Sequence, residues 1–351
     1  MLQFDIENRS VWETLQGTKE PIIMYGTGNG ADKVFEVFEE LNIEVTGVTA
    51  SVGFVRERYF HDFRVTPISD FFEKYEKFTI VVTFGSSREE VIENIKELSK
   101  KQTVLVPCVP VIGNEIFDRK FLEKNEEKLN KAYSLLADEK SKEVFKNYVN
   151  FEFSGKLEYL FKMESDISDA FNDYLKLNQN ENFVDIGAYR GDTVEQFLRF
   201  TNGKYSNILA VEPDSKTYKK LIENCKALKN FEALNGAVSS TDGKVKFSNV
   251  AGRQSTIGSG IEIPCYTLDK LQEKLVPTYI KIDAEGAEID IINGGKNLIS
   301  EYKPKIKIAT YHKNSDIFEI PILLNNLNEN YKIYMCHHPY IPAWDTDFYC
   351  I

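Results

Sequence analysis

Three carboxylate-bearing segments and one histidine in the second half of this 351-residue sequence carry the residue types that chemistry needs. In the first, Val184-Asp185-Ile186-Gly187-Ala188-Tyr189-Arg190-Gly191-Asp192-Thr193, an apolar run enters a Gly-x-x-x-Gly turn and then a helical pattern from Val194 to Phe200. Glycines let a backbone pass close to a ligand and adopt positive φ. The plain alternative is a tight strand–helix turn with Asp192 as helix cap. In the second, the run Ile208-Leu209-Ala210-Val211 ends in Glu212-Pro213-Asp214. An acid about 20 residues beyond a glycine turn can accept hydrogen bonds from both hydroxyls of a ribose. Pro213 stops the strand, and Asp214 or Ser215 can cap the next helix. In the third, Tyr279-Ile280-Lys281-Ile282-Asp283-Ala284-Glu285-Gly286-Ala287-Glu288, period-two alternation puts Lys281 and Asp283 on one face and Ile280 and Ile282 on the other. A lysine inside an apolar strand requires a carboxylate partner. Capping by Asp283 and a helix-dipole role for Glu285 account for those two acids but not for Lys281.

His312 ends the fifth strand of this region, and an ordinary imidazole pKa of ~6.5 suits a general base. Asp283 and Glu285 are the other candidates, and either can orient the histidine instead; the plain reading of His312 is a strand-end residue. His337 and His338 end the sixth strand near Tyr340 and Trp344. Adjacent residues of an extended chain face opposite ways, which argues against one metal held by both. With four histidines in all, no metal site is expected. Near the start, Gly26-Thr27-Gly28-Asn29-Gly30-Ala31 fits Gly-x-Gly-x-x-Ala. The acid that completes that fingerprint is missing, because the next strand leads into Thr49-Ala50-Ser51. Gly26, Gly28 and Gly30, with Arg56 and Arg58 for phosphates, are weak candidates for a nucleotide, NAD-like or a nucleotide sugar. The alternative is a Rossmann-like scaffold for dimerisation or acceptor docking.

The elements that must position these residues fall into three sections. Residues 1–113 alternate apolar strands (Pro21–Tyr25, Ile43–Val48, Phe78–Phe84, Thr103–Val106) with helices, the pattern of a parallel sheet covered on both faces. Residues 114–180 lose the strand signal and read as a helical connector (Phe117–Leu136, Ser141–Phe151, Asp166–Leu175). Residues 181–351 return to α/β alternation, with strands at Phe183–Ile186, Ile208–Val211, Phe231–Val238, Tyr279–Ile282, Ile306–Tyr311, Lys332–Cys336 and Asp347–Ile351. The fold class is therefore α/β: a doubly wound seven-stranded domain preceded by a smaller Rossmann-like domain.

Composition narrows the functions. Forty-three basic against 54 acidic residues leave a net charge of −11, which disfavours nucleic acid and anionic membranes. The first residues lack a secretory signal, and no run approaches the ~18 apolar residues of a membrane span. Five widely spaced cysteines without a Cys-x-x-Cys pair read as reduced thiols of a cytoplasmic protein.

Taken in order, the segments at 185–193, 211–214 and 280–288 resemble the FkbM family of S-adenosylmethionine-dependent methyltransferases. Asn235-Gly236-Ala237-Val238-Ser239, Tyr266-Thr267-Leu268-Asp269, Lys303-Pro304-Lys305-Ile306, Tyr311-His312 and Asp345-Thr346-Asp347-Phe348-Tyr349 agree with it, over about residues 180–351. Leu136-Ala137-Asp138-Glu139-Lys140-Ser141 is similar to the helical lead-in of members with an extra N-terminal domain. Val211 departs from the family, where Phe commonly precedes Glu-Pro. The resemblance implies a class I methyltransferase domain using S-adenosyl-L-methionine, most often on a hydroxyl of a sugar or secondary metabolite. Asp185, Gly187, Ala188, Tyr189, Gly191, Asp192, Thr193, Glu212, Pro213, Ala237 and Asp283 are then expected to hold the cofactor. His312, Asp283, Glu285 and Lys281 are expected at the reacting centre, and Arg190, His338 and Tyr340 at the acceptor. The expected partners are a small-molecule or glycan acceptor and a second copy of the chain. The rival readings are a non-catalytic nucleotide-sugar-binding protein and an NAD-dependent sugar oxidoreductase.

Overall fold

The computed structural model describes residues 1–51, 59–247 and 260–351, so Arg56 and Arg58 lie outside the described residues. The chain builds two main sheets. The first carries β1 (Ile22–Tyr25), β2 (Gly47–Thr49), β3 (Tyr59–Phe60), β4 (Phe63–Thr66), β5 (Thr79–Val82) and β6 (Thr103–Leu105), in the order β3-β4-β2-β1-β5-β6. All its pairings are parallel except the β3/β4 hairpin. β1 and β5 are buried at every position, as expected for apolar runs covered on both faces. The second strand begins four residues later than the apolar run Ile43–Val48 suggests. Asn42 leaves the helix Asn29–Leu41 in the left-handed region, and Ile43 is spent packing in the core before Gly47 pairs with Ile23.

The second sheet contains β7 (Asn182–Ile186), β8 (Asn207–Glu212) and β9 (Phe231–Asn235). After β10 (Ala237–Val238), β11 (Gly243–Phe247) and β12 (Ile261–Tyr266), it resumes with β13 (Tyr279–Ile282), β14 (Lys305–Ala309), β15 (Ile333–His337) and β16 (Thr346–Cys350). Its order is β15-β16-β14-β13-β7-β8-β9, with β16 antiparallel to both neighbours. Counted from the β9 edge in terms of this sheet's own seven strands, that is third, second, first, fourth, fifth, seventh, sixth. The doubly wound reading holds, and the crossover direction reverses between β7 and β13, where open α/β sheets place their ligands. The run 231–238, read as one strand, is two. Gly236 passes so close to β12 that a Cβ there would stand 2.9 Å from the Pro264 carbonyl oxygen, and β10 joins β11 and β12 in a separate three-stranded sheet.

The section between the sheets is helical, as its periodicity implies, and it packs against the sheets on either side. Asp118 caps Arg119–Leu135, Asp138 caps Glu139–Ser154, and Gly155 in the left-handed region ends the latter. Helix Glu139–Ser154 buries Val144, Phe145, Tyr148, Val149, Phe151 and Phe153, which places it inside the molecule. Each fully buried phenylalanine contributes roughly 1.5–3 kcal/mol. Its apolar residues join Ile23 and Val82 of the first sheet and Ile280 and Ile306 of the second in one continuous core. Residues 170–175 form a π-helical turn rather than an α-helix. Among the described residues, no helix is long and apolar enough to cross a membrane.

Candidate active site

The glycine turn leaves β7 at its carboxyl end. Gly187 adopts φ +74°, and a Cβ there would lie 1.8 Å from the Asp283 carbonyl oxygen, so only glycine fits. Gly187 and Ala188 donate their N–H groups to Val211 O at 3.0 and 3.1 Å, tying the turn to β8. Gly191 in the left-handed region opens the helix Asp192–Phe200; Asp192 lies in its first turn and is not the cap. Below the turn, Thr193 Oγ1 donates to Asp185 Oδ2.

Lys281 points into this floor. Its Nζ donates to Gly187 O at 2.8 Å and stands 3.6 Å from Asp185 Oδ1 and 3.9 Å from Asp283 Oδ2. Burial works against its charge, but Asp185 and Asp283 outweigh that and hold its ammonium above the usual range. Burial pushes the Asp185 carboxyl up despite Lys281. The buried lysine therefore has the carboxylate partners its position demanded. It grips the Gly187 turn from beneath, sealed at 4% exposure.

Glu212 ends β8 beside the turn. Its Oε2 accepts from Tyr189 N at 2.9 Å and its Oε1 from Asp214 N at 2.8 Å. Burial is the main influence on its carboxyl, which is pushed up to about 7. Pro213 follows, and Asp214 caps the helix Ser215–Cys225 through Thr217 N. Tyr189 is half exposed, with the Arg190 guanidinium 4.9 Å from its ring centre at the rim of the turn. Ala237 is buried on β10.

A second group forms where β13 and β14 end. β14 stops at Ala309, so His312 lies in the following loop rather than ending the strand. Its Nε2 stands 3.5 Å from Asp283 Oδ1 and 3.7 Å from Glu285 Oε2. Its Nδ1 lies 3.0 Å from Glu288 Oε1, at an angle short of a formed hydrogen bond. Burial opposes protonation of this imidazole, but Glu288 and then Asp283 and Glu285 raise it to about 10. Tyr311 Oη donates to Asp283 Oδ1 at 3.4 Å. Against partial burial, Lys281, His312 and Lys307 keep the Asp283 carboxyl low. Glu285 at φ +48° and Gly286 at φ +91° turn the chain into the helix Glu288–Asn293. The first section reaches this edge too: Ile112 N donates to His312 O at 3.0 Å, and a Cβ on Gly286 would meet Ile112.

The structure thus brings Asp185, Gly187, Lys281, Glu212, Asp283, Glu285 and His312 to one sheet edge. It does not bring His338 into this group. That ring faces Ser165 O at 3.0 Å and Tyr349 Oη at 2.9 Å, at 3% exposure. His337 is buried against Thr346, and burial drives its imidazole down to about 3. Tyr340 is buried against Trp344. In the first section, Cβ atoms on Gly26 and Gly30 would stand 2.4 and 2.5 Å from Thr83 Oγ1 and O, so close packing on β5 accounts for both; Gly28 faces open space. Sequence reasoning missed Glu288. It closes the Asp283–Glu288 string, but only the fold shows that it turns back onto His312.

Residues 185–333 match the family model described as the methyltransferase FkbM domain. The crystal structure of methyltransferase FkbM from Methylobacillus flagellatus KT is similar over 99% of this chain and 94% of that one, at 19% identity and a TM-score of 0.73. Precorrin-6y C5,15-methyltransferase from Geobacter metallireducens GS-15 overlaps 50% of this chain and 81% of its own, at 11% identity and a TM-score of 0.34. An overlap this partial carries no argument. No curated protein sequence matches the chain. From Asp185 to Ile333, then, this chain is similar to the methyltransferase domain of the FkbM family.

Proposed function

We propose that the protein transfers a methyl group from S-adenosyl-L-methionine to a hydroxyl of a sugar, nucleotide sugar or glycan precursor. The carrying observation is that the Gly187–Gly191 turn, the Glu212 carboxylate and the Asp283–Glu285 turn meet where the sheet reverses direction. The residues suit the cofactor: Gly187 leaves the turn no room for a side chain, Glu212 is a ribose-type acceptor, and Asp185 Oδ1 is buried without a hydrogen-bond partner. Glu212 would hold the ribose, and the Gly187–Gly191 turn with Asp185 and Asp283 would line the rest. When bound, the cofactor supplies a methyl group on a cationic sulfonium, which acidic surroundings favour over neutral analogues.

The chain's own residues then align and deprotonate the acceptor. Lys281 and Thr193 fix the floor of the turn, and in-line displacement gains most of its rate from such alignment. Asp283 and Glu285 side chains are 36% and 32% exposed while His312 is 1% exposed, so the carboxylates are what a hydroxyl can reach. Either accepts the acceptor's proton, a role worth ~10²–10⁴-fold. His312 is a positioning residue that holds both from behind through Nε2. A net charge of −11 favours a small-molecule or glycan acceptor over nucleic acid, and five buried free thiols suit the cytoplasm. The test is incubation of the full chain with S-adenosyl-L-methionine and a panel of nucleotide sugars, read by mass spectrometry. A product heavier by one methylene supports the reading, and Glu285→Gln should slow its formation by ~10²-fold. Stabilisation by NAD with none by S-adenosylhomocysteine would overturn it.

A further inference from the structure

We propose that Lys33, in the first section, is a positioning residue for the acceptor-activating turn at Glu285, acting through residues 106–117, which run from β6 to that turn. This role rests on the proposed methyl transfer, because the turn carries a carboxylate that would take the acceptor's proton.

Residues 106–117 form neither helix nor strand. Pro107 and Pro110 fix φ, restrict the residues before them and offer no N–H, so the stretch is stiff and joins no ladder. One end is anchored where Val106 N donates to Gly155 O at 2.8 Å. Lys33, on the helix Asn29–Leu41, clamps the middle. Its Nζ donates to Pro110 O and to Val111 O, both at 2.8 Å. The lysine is half-buried, and burial pulls its ammonium below the usual range against the attraction of Glu36. A charge-assisted clamp on two successive carbonyls fixes the direction in which the next residue, Ile112, leaves the first section.

Ile112 then meets the second section twice. Its N–H donates to His312 O at 3.0 Å, and its Cγ1 would stand 2.8 Å from a Cβ on Gly286. Asn314 adds a third tie, donating through Nδ2 to Glu115 O. What these contacts brace is a strained turn. Glu285 takes φ +48°, which side chains rarely adopt, and Gly286 follows at φ +91°. A residue in that region keeps its conformation only when its surroundings over-determine it. Lys313 Nζ donates to Gly286 O, and Glu288 accepts from Ala284 N. Ile112 adds packing on Gly286 from the other section, and its reach depends on where Lys33 holds the chain. The Gly187–Gly191 turn is tied instead to Val211 O and Glu212. Slack at Lys33 should therefore lower the rate of transfer and leave donor affinity alone.

The test compares full-length wild type, Lys33→Met and Lys33→Arg, each with isotope-labelled histidine. Nuclear magnetic resonance reads the imidazoles, calorimetry reads S-adenosylhomocysteine binding, and mass spectrometry reads product from the same panel of nucleotide sugars. In Lys33→Met the His312 signal should move, while those of His337 and His338, which contact Thr346, Ser165 and Tyr349, should stay. His61 pairs with Asp32 beside Lys33, so its signal decides nothing. S-adenosylhomocysteine affinity should be unchanged, product should form roughly tenfold more slowly, and Lys33→Arg, which keeps the donors, should recover most of that rate. A purely structural lysine would lower the melting temperature and leave His312 unmoved, and that result overturns the proposal. If Lys33→Met fails to fold, Ile112→Ala decides, because it removes the packing on Gly286 and keeps the N–H to His312; a wild-type His312 signal and rate there overturn the proposal too. A wild type that binds no S-adenosylhomocysteine would remove the methyl-transfer reading, while a moved His312 signal would still show that Lys33 sets the position of the loop.

Discussion

Gly187 and Asp283 touch backbone to backbone: a Cβ on Gly187 would lie 1.8 Å from the Asp283 carbonyl oxygen. The turn that would hold the methyl donor and the turn that would activate the acceptor are therefore one packed unit across β7 and β13. On the proposed function, that contact would align donor and acceptor.

Gly187→Ala should break this unit. The substitution meets both a positive φ and a backbone atom that cannot step aside, unlike the flexible end of a side chain. The expected outcome is a melting temperature lower by several degrees and at least tenfold weaker S-adenosylhomocysteine binding. Differential scanning calorimetry and a binding titration check it; wild-type values for both would mean that the two turns separate easily.

Lys281→Met removes the cation between Asp185 and Asp283 while leaving Asp185 buried at 0% side-chain exposure. Breaking one side of a buried pair costs about 3–5 kcal/mol. Adding Asp185→Asn to the same chain removes the stranded charge and should recover part of that loss. Urea midpoints of the two variants decide the point, and equal midpoints would show that Asp185 is not the charge that Lys281 balances.

That buried pair was legible from the sequence because a lysine in an apolar strand has few ways to exist. The strand–turn–helix at 183–200 and the acid ending β8 were legible for a similar reason, since their glycines, proline and caps act through local backbone geometry. What the sequence hid depends on distant contacts. Gly236 divides β9 from β10 because β12 passes beside it, and Glu288 finds His312 only when the loop after β14 folds over it. Helix Glu139–Ser154 reads as an amphipathic connector, yet it is walled in because both sheets lay apolar residues against it. No window of local periodicity contains that information.

Within that helix, Glu152 is buried, and burial is the chief cause of a carboxyl raised from 4.5 to about 7. A raised acid favours folding only while protonated. Its contribution is full below about pH 4.5 and is lost as pH rises through about 7. Glu152→Gln should accordingly match the wild type near pH 4.5 and exceed it by roughly 3 kcal/mol at pH 8. Urea denaturation at both pH values checks the sign; an equal difference at the two would contradict it.

Glu212 titrates in the same range for the same physical reason, with burial lifting its carboxyl to about 7. Its ionised form is the better acceptor for ribose hydroxyls, so S-adenosylhomocysteine affinity should fall by about tenfold from pH 8 to pH 6. Glu212→Gln should flatten that profile. A wild-type profile as flat as the variant's would place the ribose elsewhere.

Calorimetric titration of S-adenosylhomocysteine into the full chain and into Glu212→Ala tests the central claim most directly. One ligand per wild-type chain is predicted, with affinity weakened by roughly 10- to 100-fold in the variant, the 1.5–3 kcal/mol of a lost charge-assisted contact. No binding to the wild type, or the same affinity in both proteins, would contradict the account.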